Sequence, residues 1–189
     1  MLKYCVVNTE EECSRLLQKL ESLDNFAIDL ETTSLNPRLA KILCVSISWK
    51  EETGIVIPIE LIEKFHVQFN NILKGNSLKI GHNIKFDIEV LKCNGYEING
   101  PYFDTMLAHH LIDENIHQGL DVLVLEYNLG LGPYWLVLDD ERKRICKEEG
   151  ILREDFSYAL FDKDMLYCSC TYPAGVPEPP YTTDDENEK

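Results

Sequence analysis

Asp29 and Glu31 stand one residue apart at the end of an apolar run, Phe26-Ala27-Ile28-Asp29-Leu30-Glu31. Side chains alternate faces along a strand, so both carboxylates are expected to project from one side. Two anions held that close repel each other, and a cation relieves the repulsion. Oxygen donors of this kind suit hard ions such as Mg²⁺ or Mn²⁺. The plainer alternative is a strand end with solvated acids and a Thr32-Thr33 turn. A second pair, Asn83 and Asp87, lies four residues apart in a stretch with helical spacing. The two are therefore expected to share an outward polar face, with Ile84, Ile88 and Leu91 on the apolar side. That stretch follows a short strand, the place where α/β sheets often put ligands. Taken alone, the pair reads more readily as a solvated helix face.

The elements that must position these groups can be read from periodicity. Residues 2–7 suggest a strand. Thr9 followed by Glu12 forms a capping box for a helix whose apolar positions are Cys13, Leu16, Leu17, Leu20 and Leu23. The carboxylate-bearing strand comes next. Residues 42–49 and 55–59 read as two arms of a hairpin across Glu51-Glu52-Thr53-Gly54, with Pro58 ending the second. One amphipathic helix is expected over 61–73, closed by Gly75. A short strand at 78–81 leads to a helix from about Ile84 to Cys93, stopped by Asn94-Gly95. Helices are further expected over 104–112, 120–128, 139–149 and 156–170. Strands first, then strands with helices, then helices alone, give an α/β protein with a mixed sheet of about five strands flanked by helices.

With 189 residues the chain is long enough for one domain with a substantial core. No segment approaches the roughly 18 continuous apolar residues of a membrane span, and the start is too short and too quickly polar for a signal peptide. Seven scattered cysteines argue against a disulfide framework and for a reducing, cytoplasmic setting. A net charge of −15 excludes a free-standing basic DNA binder. It leaves room for a metal-dependent nuclease, whose ions offset the carboxylates locally. The stretch 173–189 is rich in proline and acid and poor in large apolar residues. It is expected to be a disordered tail after a domain spanning 1–172.

Three segments in order carry a family resemblance. Asp29-Leu30-Glu31-Thr32-Thr33-Ser34-Leu35 resembles the first motif of the DEDD class of 3′–5′ proofreading exonucleases, and Gly81-His82-Asn83-Ile84-Lys85-Phe86-Asp87 the second. Phe103-Asp104-Thr105-Met106-Leu107-Ala108 resembles a further segment of the same family, as found in bacterial and phage family A DNA polymerases. The resemblance implies a ribonuclease H-like fold. It also implies two divalent metal ions, Mg²⁺ or Mn²⁺, that activate water and stabilise the leaving 3′ oxygen. On that implication Asp29, Glu31 and Asp87 hold the metals. Asn83 supports the site, and Thr32 and Leu35 meet the terminal nucleotide. Leu35 reads equally as an ordinary loop hydrophobe.

The family's third motif, Tyr-x-x-x-Asp, has two competing registers here. Tyr158 and Asp162 fit its letters, whereas Tyr167 and Thr171 fit its position after the lead-in from Phe156 but place Thr where Asp belongs. The second register is favoured, which makes Tyr167 the candidate catalytic tyrosine. After it the pattern stops and the proline-rich stretch begins, as a truncated or frame-shifted gene, or divergence, would produce. The implied function is a metal-dependent 3′–5′ exonuclease acting on the 3′ end of single-stranded DNA, as in proofreading. The alternative is an impaired or truncated relative that binds DNA ends or a polymerase partner. No membrane partner is expected.

Overall fold

Residues Asn25–Thr32 form the strand (β2) around which the sheet is built. In this computed structural model, residues 3–51, 53–127, 129, 134–153, 156–161, 163 and 166 are described. The other strands are β1 (Lys3–Val6), β3 (Ile42–Ser48), β4 (Thr53–Pro58), β5 (Leu78–Gly81) and β6 (Tyr102–Asp104). Their order across the sheet is β1-β4-β3-β2-β5-β6. The hairpin strands β3 and β4 run antiparallel, as do β2 and β3, while β1 pairs parallel with β4 and β5 parallel with both β2 and β6. The sheet therefore has six strands rather than about five. The additional one, β6, is a three-residue edge strand with Tyr102 and Phe103 exposed. It is too short for any alternating pattern to announce it.

One face of the sheet carries the main core. Helix α1 (Glu10–Glu21) starts from the expected capping box: Glu12 N–H donates to Thr9 Oγ1 at 3.2 Å, and Thr9 N–H donates to Glu12 Oε2 at 3.1 Å. It buries Leu16, Leu17 and Leu20 completely. Each such leucine contributes about 1.5–3 kcal/mol by leaving water. These leucines share a cluster with Phe26 and Ile28 of β2 and Ile57 of β4. The single helix expected over 61–73 is two, α2 (Ile59–Lys64) and α3 (His66–Lys74). The break falls at Phe65, whose backbone sits at φ −106° and ψ 25°, outside the helical basin. The split lets Ile62 of α2 and Phe69 of α3 both reach the core.

The turn from α3 into β5 is tied by a buried cation. Lys79 on β5 is completely buried, and its Nζ donates to the carbonyl of Gly75 just past the end of α3. That carbonyl has no partner within the helix, and a cation complements the negative end of the helix dipole. Helix α4 (Ile84–Cys93) packs back on β2. Helices α5 (Thr105–His110) and α6 (Leu120–Glu126) follow.

Among the described residues, the opposite face is covered only in part. Helix α7 (Tyr134–Glu149) begins earlier than the sequence pattern suggested. With the segment after it, α7 covers β3 and β4, where Ile145, Phe161 and Leu166 cluster on Cys44 and Val56. The continuous helix expected over 156–170 is not found among the described residues. A 3₁₀ turn occupies Tyr158–Leu160, capped by Ser157, whose Oγ accepts from Ala159 N–H. The rings of Phe156, Tyr158 and Phe161 pack on one another across this turn, with centroids 5.1 to 6.0 Å apart. Among the described residues no helix is long and apolar enough to cross a membrane. The expected tail at 173–189 lies outside the described residues.

Candidate active site

Asp29 and Glu31 project from the incompletely covered face of the sheet, while Ile28 and Leu30 point into the main core. The two-residue period places both carboxylates on one side, as expected. Across the ladder Asp29 faces Ser46 and Glu31 faces Cys44 on β3. A register shift between Glu31 and Thr32 then interrupts the ladder, with Thr32 pairing to Ile42 beyond it.

Asp87 reaches β2 because the sheet stops early on that side. The β2–β5 ladder ends at Ala27 and Ile80. Leu30, beyond its end, donates its N–H to Asp87 Oδ1 at 3.2 Å. A carboxylate from α4 thus takes the place of a strand carbonyl. The close approach of α4 depends on Gly81. A Cβ there would lie 2.9 Å from the Ile84 side chain and 3.3 Å from the Ile28 carbonyl.

The expected outward pairing of Asn83 with Asp87 does not occur. Asn83 precedes α4 in the left-handed region, at φ 58°, with an exposed side chain. The helix proper starts at Ile84, so Asp87 shares a face with Ile84 and Leu91 and is only 3% exposed. Asn83 is fixed from its other side, where its N–H donates to Asp104 Oδ1 at 3.0 Å. The same oxygen caps α5 by accepting from Met106 and Leu107 N–H, at 2.9 and 3.3 Å.

The electrostatics of the cluster are strained. Burial pushes the Asp87 carboxyl up to about 8, and the charges of Asp29 and, more weakly, Glu31 add to the rise against the Leu30 N–H. Desolvation by surrounding protein likewise raises Asp29, to about 6. Its surface is nonetheless open to water, which argues for a smaller rise in the same direction. Among the described residues no three His, Cys, Asp or Glu side chains are gathered closely enough to hold a metal ion. The donor chemistry still fits a hard divalent cation. All three groups offer carboxylate oxygens, and burial together with the neighbouring acids disfavours Asp87 as an anion, which a cation would reverse.

Thr32 is buried, with its Oγ1 donating to the Ser34 carbonyl at 3.1 Å, and Leu35 stands 87% exposed at the loop tip. Tyr167, Asp162 and Thr171 lie outside the described residues. Tyr158 lines a cavity with Thr32 and Leu35, joined by Arg142, Arg153 and Phe156. The sequence reading did not single out these arginines. Arg142 falls within the helix expected over 139–149 and Arg153 beyond it, and nothing local announces a long-range approach to loop 32–36. Asp29 also borders a mostly apolar cleft of about 280 Å³ with Ala27, Ser46, Ile80, His82 and Leu120. In it His82 Nδ1 lies 3.0 Å from Thr105 Oγ1.

Comparison with known proteins places this geometry among nucleases. Residues 4–168 match a family model described as 3′–5′ exonuclease. The chain is 41% identical over 133 residues to DNA polymerase I of Borreliella burgdorferi, covering 67% of this chain and 15% of that protein. It is 33% identical over 150 residues to the DNA polymerase of Escherichia phage T5, covering 75% of this chain and 17% of that one. The chain thus spans about a sixth of the length of these relatives. Among solved structures, Brucella melitensis NrnC with bound Mg²⁺ superposes with a TM-score of 0.52 at 28% identity, covering 67% of this chain and 61% of that chain.

Proposed function

The chain belongs to the 3′–5′ exonuclease domain family of family A DNA polymerases, and from that membership we propose that it removes nucleotides from the 3′ end of single-stranded DNA. The observation that carries the proposal is Asp87, drawn from α4 to the backbone of Leu30 between Asp29 and Glu31. Polymerase relatives favour DNA as the substrate. Asp29, Glu31 and Asp87 are the residues that would hold divalent metal, Mg²⁺ or Mn²⁺, which supplies water activation and charge stabilisation at the phosphate. Asp87 is positioned by Leu30 N–H and needs positive charge nearby to stay ionised at neutral pH. Thr32 and Leu35 follow the carboxylates where the chain leaves β2, and the exposed Leu35 is placed to meet the base of a terminal nucleotide. Asn83 acts through its backbone, holding the start of α4 to Asp104.

Two tyrosines compete to orient the attacking water. Tyr167 is the one implied by the motif's lead-in, and Tyr158 is the one beside Thr32. Phenylalanine at each position separates them. Residues 1–172 are taken as the domain and 173–189 as an acidic tail. The free thiols of Cys5, Cys13, Cys93 and Cys146 support a reducing, cytoplasmic setting.

The test is a 5′-labelled single strand incubated with Mg²⁺. A descending ladder of products is expected, lost with chelator and reduced at least a hundredfold by Asp29→Ala. Internal cleavage, or cleavage indifferent to chelator and to Asp29→Ala, overturns the assignment. An RNA strand run in parallel decides the sugar preference. A second reading follows from Thr171 standing where the favoured register of the third motif requires Asp, and from the net charge of −15: a module that binds 3′ ends, or a polymerase partner, without efficient cleavage. Tight strand binding with no ladder would establish it.

A further inference from the structure

The loop that leaves the carboxylate strand faces a group of cations and aromatic rings across a cavity of about 450 Å³. Its own hydrogen bonds fix the loop. Asn36 N–H donates to Ser34 Oγ at 3.1 Å, and Lys41 N–H to Thr33 Oγ1 at 3.0 Å. Opposite lie Arg142 of α7 and, beyond that helix, Arg153, Phe156 and Tyr158. Both guanidiniums bond the same carboxylate oxygen, Asp139 Oδ1, and Lys143 Nζ takes its other oxygen at 2.8 Å. Three cations thus converge on one anion, in a chain whose net charge is −15. Arg153 remains largely solvent-accessible, and the buried Nε of Arg142 has no hydrogen-bond partner among the described residues.

This arrangement matches the chemistry of a nucleic-acid strand. Guanidiniums take phosphate through forked hydrogen bonds, and aromatic rings beside them accept bases by stacking. The cavity is lined by Thr32, the residue after Glu31, which sets it beside the end of the carboxylate strand. We infer that this cavity is a subsite for the strand on the 5′ side of the cleaved bond. Arg142 and Arg153 hold a backbone phosphate, Phe156 and Tyr158 receive the adjoining base, and Asp139 holds the guanidiniums until phosphate displaces it. Asp139 is then an internal competitor that sets how readily the strand enters. The assignment rests on the exonuclease reading above, which it extends to the upstream strand.

Binding measured without hydrolysis tests it. The probe is 5′-fluorescein-labelled hexathymidylate in EDTA, followed by fluorescence anisotropy over a range of KCl concentrations. Arg153→Ala should weaken binding roughly tenfold and lower the salt slope by about 0.7, the single-strand value for one lost phosphate contact. Arg153→Lys, which keeps charge but loses the fork, should fall between. Asp139→Asn should tighten binding by about threefold, by freeing the guanidiniums. Competition by thymidine 5′-monophosphate, which has no upstream phosphodiester, should be the same in wild type and Arg153→Ala. Arg153 is exposed and Asp139→Asn preserves shape, so both proteins should fold, and equal melting temperatures will verify it.

Wild-type affinity and salt slope in both Arg153→Ala and Asp139→Asn would overturn the subsite. If the wild-type protein still gives the descending ladder, that result leaves the exonuclease reading intact. Conversely, a protein without nuclease activity that shows the Arg153 and Asp139 effects retains the subsite as a strand-binding site and loses the catalytic reading.

Discussion

Asp87 is buried beside two other acids, and this has a measurable cost. Its carboxyl is pushed from an ordinary 3.8 up to about 8. In the unfolded chain it would release its proton near the ordinary value. Between roughly pH 4 and pH 8 the folded state therefore holds a proton that the unfolded state lacks, and stability falls as pH rises. In EDTA, urea denaturation should give a lower unfolding free energy at the top of this window than at the bottom. Asp87→Asn should remove most of that slope, and an equal slope in the variant would refute the argument. Added Mg²⁺ should flatten the wild-type slope, since a bound cation favours the ionised form. The Asp29–Glu31 pair was legible in the sequence because a strand's two-residue period is strict. The direction of Asp87 was not. The left-handed Asn83 starts the helix one residue later than a shared Asn83–Asp87 face requires, and so rotates Asp87 inward.

Helix α4 can carry Asp87 to β2 only because Gly81 lets the two elements meet closely. Gly81→Ala places a methyl group against the Ile84 side chain and the Ile28 carbonyl. It should destabilise the fold by about 1–3 kcal/mol, as overpacking commonly does. If the misfit is relieved by moving α4, exonuclease activity should drop further than stability alone explains. Urea denaturation read with the ladder assay checks both, and a variant with wild-type stability would show that the contact is soft. Long elements with clear periodicity were readable from sequence, α1 with its capping box above all. Shorter ones were not. Strand β6 is held by its neighbour β5 rather than by its own three residues. The break at Phe65 is set by the sheet surface onto which α2 and α3 must both fit. The aromatic packing that bends Phe156 to Phe161 away from a continuous helix is likewise a tertiary effect.

Across the molecule, the sheet divides the labour between its faces. One is sealed by α1 to α4, and the other is only partly covered by the described residues, among which Asp29 stays open to water. The α/β class followed from the order of elements, but the strand order did not. That β1 docks parallel on β4 at the far edge depends on contacts separated by about fifty residues, which no local pattern encodes. Lys79 lies on β5, next to the edge strand β6, with no exposed surface and its ammonium held by Gly75, whereas Lys74, five positions earlier, is exposed. The two lysines form an internal pair of reporters for amine acylation. With a brief pulse of acetylating reagent and peptide mass spectrometry, Lys74 should be modified at once. Lys79 should be modified only as fast as β5 is released from α3, since the burial that lowers its pKa also withholds it from the reagent until the strand is uncovered. Equal labelling of the two in the native protein would show that this seam opens freely. A lag that lengthens when oligonucleotide and Mg²⁺ are added would give a covalent record of how far binding at the rim stiffens the sheet behind it.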